Sequence, residues 1–242
     1  MRPRGRDWSV CGRYGLYRDP SPFARKLGAR VPASFTFAPH YNIAPQTPVL
    51  AIRNTPERPL LAMQWGLATR LPTEPLRRMS TFNARIETLA TSPLCGPLLP
   101  HRRCIVPADG YYEWQRLTDG TKAPVWISRR DGEQLAFAGL WSPDGGDGDA
   151  TEGSCTIVTQ PANALLARYH ERMPVVLNQE SARAWLEAAA LASDDALALL
   201  APIAGDVVDV RNVGAAVGTV RNDGPDLIDA AAAPRVQPTL FD

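Results

Sequence analysis

Lysine is nearly missing from this chain: Lys26 and Lys122 are the two it has among 26 basic residues. A protein that works through an imine would have few amines here, those two side chains and the amino terminus. Cysteine is scarce too. Cys11, Cys95, Cys104 and Cys155 stand far apart, and none forms a CxxC or CxxH pair, so neither a disulfide framework nor a zinc site is expected. The three histidines, His40, His101 and His170, are equally scattered, and no metal or cofactor is expected. No apolar run approaches the ~18 residues of a membrane span, and residues 1–10 are too polar for a signal peptide. The expectation is a cytosolic monomer with no membrane partner.

Arginine is plentiful, and its placement matters more than the formal charge of +1. Residues 1–30 carry Arg2, Arg4, Arg6, Arg13, Arg18, Arg25, Lys26 and Arg30 against Asp7 and Asp19, whereas the chain beyond Glu180 is acidic. A near-neutral total can hide a basic face of the kind that meets nucleic acid.

Along the chain, Asp19-Pro20-Ser21-Pro22 offers turn and capping chemistry for a short helix ending near Gly28. Strands are expected over residues 49–53 and 60–65, followed by an irregular, arginine-bearing loop over 67–80. At 82–88 a strand end turns into a helix. Residues 104–114 read as a strand broken at Pro107-Ala108-Asp109-Gly110. Residues 125–128 and 135–141 read as a hairpin around Arg130-Asp131-Gly132. The aspartate and glycine run at 144–149 is a flexible tip and lacks the glutamate of a calcium loop. Strands follow at 155–159, 174–177 and 207–210, with helices at 163–169, 181–190 and 194–200. Many short strands with few helices and no strand–helix alternation predict an α+β fold around a mostly antiparallel, barrel-like core. One domain over 11–229 is expected, with a separate extension at 1–10 and a disordered tail at 230–242.

Four segments carry the chemistry: Cys11-Gly12-Arg13-Tyr14, Asn83-Ala84-Arg85-Ile86-Glu87-Thr88, Gly110-Tyr111-Tyr112-Glu113-Trp114 and His170-Glu171-Arg172-Met173-Pro174. With Asn42-Ile43-Ala44-Pro45, Trp65-Gly66-Leu67 and Val220-Arg221-Asn222, their order and content resemble the SRAP family, the SOS response-associated peptidase fold. The resemblance implies a covalent trap for abasic sites in single-stranded DNA, near the nucleoid. The α-amine of a first-residue Cys11 would attack the sugar aldehyde, and its thiol would close a thiazolidine. An α-amine, with a pKa near ~8, is substantially neutral at working pH. By the same resemblance Glu113 and His170 would move protons, Asn83 would orient the amino-terminal residue and the sugar, Arg13 and Arg85 would hold phosphates, Trp65 would stack on a base or wedge beside the lesion, and Asn42 and Pro45 would touch the DNA.

Taken singly, each residue also has a plain structural reading. Asn83 could cap the following helix, and Glu113 could face solvent. His170, Arg85 and Glu87 could be ordinary surface groups, and Trp65 a core residue. Two other functions fit the same residues: a cysteine peptidase using Cys11, His170 and Glu113, and a non-covalent module for single-stranded DNA.

Cys11 is internal as the sequence is written, and an acylated nitrogen cannot form a thiazolidine. Cleavage after Val10, a start misassigned upstream of Val10, or chemistry through the thiol alone would each answer this, and the misassigned start is favoured. The last residues, with Gln237, Leu240 and Phe241, resemble the short peptides that bind bacterial sliding clamps; a tail folded back on the domain is the alternative.

Overall fold

Apolar stretches interrupted every few residues by glycine, proline or aspartate become short strands in the computed structural model, which describes residues 12–69, 77–145, 151–201 and 203–232. Cys11, Arg70, Asp147, Asp149, Gln237, Leu240 and Phe241 lie outside the described residues, as do the extension and most of the tail. In chain order the elements are β1 (Tyr14–Leu16), α1 (Ser21–Lys26), β2 (His40–Ile43), β3 (Pro48–Arg53), β4 (Leu60–Trp65), β5 (Leu67–Thr69), β6 (Arg77–Thr81) and β7 (Asn83–Arg85). Then come β8 (Arg103–Ala108), β9 (Gly110–Arg116), β10 (Lys122–Arg129), β11 (Leu135–Ser142), β12 (Ser154–Pro161), β13 (Arg172–Pro174) and β14 (Val176–Leu177). The chain closes with α2 (Gln179–Trp185), α3 (Ser193–Ala198) and β15 (Val208–Asn212), with single 3-10 turns between elements.

One sheet runs β15-β10-β9-β1-β2, all antiparallel. The other is barrel-like: β12-β4-β3-β8-β11 closes on itself through the β11–β12 pairing, with β13, β14 and β7 added at its margins. Strand alternation then sorts side chains into three layers. Tyr14, Tyr111 and Ile127 of the first sheet meet Met63, Trp65, Val106, Phe137 and Ile157 of the second in a core between them. The opposite parity of the second sheet, including Ile52, Ile105 and Val158, packs under α1, α2 and α3. The outer face of the first sheet, with Tyr112 and Trp126, is covered by Val217 and Leu227 from the C-terminal segment. The molecule is a single α+β domain, as expected.

The corner at 107–110 is where the chain leaves one sheet for the other. Asp109 is 2% exposed there, and its carboxylate accepts from the Tyr17 and Arg18 backbone N–H groups and from Arg18 Nε at 2.7–2.8 Å. That pairing explains how a charge can sit inside. Gly110 follows because a Cβ there would lie 2.4 Å from the Trp126 ring.

Several expectations change. The stretch 67–80 contains a strand pair, β5 with β6. Residues 125–128 and 135–141 are strands but not a hairpin: β10 pairs with β9 and β15, and β11 with β8, β12 and β14. The turn between them passes from sheet to sheet. Asp131 rigidifies it by accepting from Arg129 Nε at 2.9 Å and from the Glu133 N–H at 3.0 Å. The helix expected at 163–169 is one 3-10 turn at Leu166–Arg168, and α2 stops at Trp185.

Candidate functional site

β1 lies between β2 and β9, with Tyr14 paired to Tyr111 and the Arg13 carbonyl accepting from Tyr112 N–H at 3.0 Å. One further step of that register sets Gly12, the first described residue, opposite Glu113. Glu113 is 2% exposed, so the solvent-facing reading fails. It shares the strand face of Tyr111, which packs in the inter-sheet core, while Tyr112 and Trp114 go to the outer layer.

Arg13 turns to the outer layer. Its Nη1 donates to Asn42 Oδ1 and to the Val217 carbonyl, each at 2.9 Å. Partial burial lowers its guanidinium from the ordinary value, though not enough to discharge it. Asn42 is 5% exposed, and its Nδ2 donates to the carbonyls of Val217, Thr219 and Asn222 at 2.8–3.2 Å. Its amide is thus committed at both ends, which corrects the expectation that it touches DNA: Asn42 holds Arg13 and the C-terminal segment in place. Pro45 stands half-buried in the following turn, where Gln46 takes a left-handed backbone (φ 69°) and donates its N–H to the Trp65 carbonyl at 2.7 Å.

Trp65 is 0% exposed. Its Nε1 donates to the Phe82 carbonyl at 2.9 Å, and its ring meets Tyr14 and Phe82 edge to face. No ring face is open to a base, so Trp65 is a core pillar and the expectation that it stacks or wedges is withdrawn.

Asn83 begins β7 and is the register partner of Ile157 on β12. Register partners share a face, so Asn83 points to the same inter-sheet layer as Ile157. The 3-10 turn that follows has Arg85 as its N-cap with no side-chain cap, so Asn83 is not its cap. Arg85, two residues on, is exposed. A cleft of about 190 Å³ opens beside β7, lined by Thr81, Asn83, Arg85, Thr88, Ser92 and Cys95.

His170 follows the turn whose Leu166 packs into the same inter-sheet core. Its Nδ1 lies 3.1 Å from the Arg172 backbone nitrogen, where it would accept, and 3.2 Å from the Arg172 carbonyl, where it would donate, so the tautomer decides which bond forms. Sequence reading gave Arg172 no role, yet it joins two of the motifs. Its guanidinium grips Glu87 through two bonds of 2.6 and 2.9 Å and donates to the Thr159 carbonyl at 2.9 Å. That bond holds Glu87 below the usual carboxylate range. Nothing local could reveal the pair, because the partners are 85 residues apart.

Glu113 and Asn83 therefore face one layer from β9 and β7, with Gly12 level with the first, and His170 stands half-buried in the segment before β13. An enclosed carboxylate, an amide and an imidazole are the kinds of group that shuttle protons and orient a small polar group. The class this defines is a two-sheet α+β domain with Glu113 and Asn83 facing its inter-sheet core. The family model for SOS response associated peptidase (SRAP) matches residues 10–220, and the chain belongs to that family.

Relatives agree. The chain is 32% identical over 226 residues to the abasic site processing protein YoqW of Bacillus subtilis, covering 91% of this chain and 100% of that one. It is 32% identical to the abasic site processing protein YedK of Escherichia coli, covering 90% and 99%. It is 31% identical to the abasic site processing protein HMCES of Xenopus tropicalis, covering 88% and 72%. A solved protein from Bacteroides thetaiotaomicron shares the fold, with a TM-score of 0.77 at 21% identity over 92% of this chain and 100% of that one.

Proposed function

We propose that this chain captures abasic sites in single-stranded DNA as a covalent thiazolidine on Cys11. The relatives named above as abasic site processing proteins support the lesion. The observation that carries the chemistry is Glu113: a carboxylate 2% exposed, turned to the inter-sheet layer at the register position of Gly12, the covalent neighbour of Cys11.

The α-amine of Cys11 attacks the C1′ aldehyde of the ring-opened sugar, giving a carbinolamine. Loss of water leaves an imine; Sγ then adds to the imine carbon and the nitrogen takes a proton. No oxidant or reductant is needed, and the product is the sum of protein and DNA less one water. Amine and thiol on the same residue act at high effective molarity. Glu113 moves protons during ring opening and water loss, and His170, through Nε2, serves the sugar oxygen. Asn83 orients the sugar, Arg13 and Arg85 hold flanking phosphates, and Pro45 lies along the strand. This chemistry requires Cys11 to be the first residue of the mature chain, and the family match opening at residue 10 fits that requirement.

Incubation of the mature protein with an oligonucleotide carrying one abasic site, followed by denaturing electrophoresis and intact mass, tests the reading. A band shifted by one protein, lighter by one water than the sum and lost in Cys11→Ala, is expected. Glu113→Gln should form it at least tenfold more slowly, the lower range for a lost acid/base group being ~10²-fold. An adduct formed equally well with the Cys11 nitrogen acylated excludes the thiazolidine. Turnover of a peptide by that acylated protein would support a thiol peptidase instead.

A further inference from the structure

The segment after β15 folds back over the outer layer, and one turn of it presents an unusual pair to solvent. Val220 is 51% exposed, the large hydrophobic side chain so exposed among the described residues, and Arg221 beside it is exposed as well. They occupy the two corners of a tight turn closed by the Asn222 N–H on the Thr219 carbonyl at 3.1 Å. A lone surface valine ordinarily needs no explanation, so the argument rests on how the turn is held.

Both ends are fixed. Asn42 Nδ2 donates to the Thr219 and Asn222 carbonyls at 3.1 and 2.8 Å, and Asn222 Nδ2 donates to the Ala216 carbonyl at 2.8 Å. Asp223 accepts from the Tyr41 and Asn42 N–H groups and pairs with His40 Nδ1 at 2.7 Å, so its charge is engaged beside β2. On the other side the Asn42 amide accepts from Arg13 at 2.9 Å. One side chain therefore separates the turn from Arg13. An exposed cation and an apolar group are displayed on fixed backbone, with the half-buried Arg13 one side chain away, which removes most of the ordering cost of binding.

We propose that this turn is a second grip on the DNA strand: Val220 packs against a nucleobase or deoxyribose, and Arg221 pairs with a phosphate next to the one Arg13 holds. The proposal rests on the single-strand reading above. A protein partner would need a far larger apolar patch, whereas one valine matches one base and a neighbouring arginine matches the strand's charge.

The test is equilibrium binding of a fluorescent undamaged oligonucleotide to the full chain and to Val220→Ser, Val220→Leu and Arg221→Gln over a range of salt, with crosslinking to an abasic oligonucleotide at saturating protein. Arg221→Gln should bind on the order of fivefold more weakly at 0.1 M salt, and its logarithmic salt slope should fall by about 0.7, the share of one single-strand phosphate. Val220→Ser should weaken binding several-fold with the slope unchanged, and Val220→Leu should restore it. The rate at saturation should hold in all three. Parental affinity and slope in Val220→Ser and Arg221→Gln, from a parent that binds and crosslinks, overturn the turn's role alone. A parent that binds no oligonucleotide overturns the site reading and this proposal with it.

Discussion

Arg172 shows how one side chain can organise a site without local warning. It is 8% exposed, while Glu87 opposite keeps 45% of its side chain in water. The pair therefore sits at a boundary, screened on one side and committed to Thr159 on the other. Because the Arg172 bond lowers the Glu87 carboxyl in the folded state, its contribution to stability is present above the unfolded value near ~4.3 and is lost as the pH falls through the lower folded value. Glu87→Gln should thus flatten the acid limb of stability against pH, matching the parent at low pH and falling below it near neutrality, where only the parent has the charged pair. Urea midpoints measured from pH 3 to 7 check this. An unchanged acid limb in the variant would assign the acid sensitivity elsewhere.

Among elements, those whose partners are close or whose pattern is repetitive could be read from the sequence. β4 occupies residues 60–65 and ends before Gly66 as expected, and the break between β8 and β9 falls at Asp109. Pairing across the chain could not be read. β10 and β11 have hairpin spacing, yet they belong to different sheets, β10 pairing with β9 and β11 with β8. Glu113 and Trp65 show the same limit at the site: the residue types were legible, but the face of each strand was decided by distant neighbours.

Arg103 went unread for the same reason. It is 0% exposed, and it donates to the carbonyls of Leu99, Pro100, Trp185, Glu187 and Ala189. It thereby ties the end of α2 and the turn before β8 together. Arg103→Met leaves buried carbonyls without donors and should cost about 3 kcal/mol or more. Hydrogen exchange should show residues 179–199 opening first. A variant as stable as the parent would mean that water replaces the guanidinium without loss.

At the scale of the whole molecule, the fold separates its thiols. Cys95, Cys104 and Cys155 are 3%, 0% and 0% exposed. Burial raises all three, Cys104 well above its ordinary value and Cys155 to about 12. The thiolate is the reacting form, so these three should be silent at neutral pH, and a reactive thiol at the proposed site must come from Cys11. A maleimide at pH 7.5 should label the native protein once and quickly, with the adduct mapping to Cys11, and should label four cysteines after denaturation. Prior capture of an abasic oligonucleotide should abolish the fast event, since the thiazolidine consumes that sulfur. Fast native labelling at a β8 or β12 cysteine would mean that the core between the sheets opens readily. Absence of any fast thiol would leave Glu113 and His170 with no nucleophile to serve, and the covalent reading would fall with the sulfur it depends on.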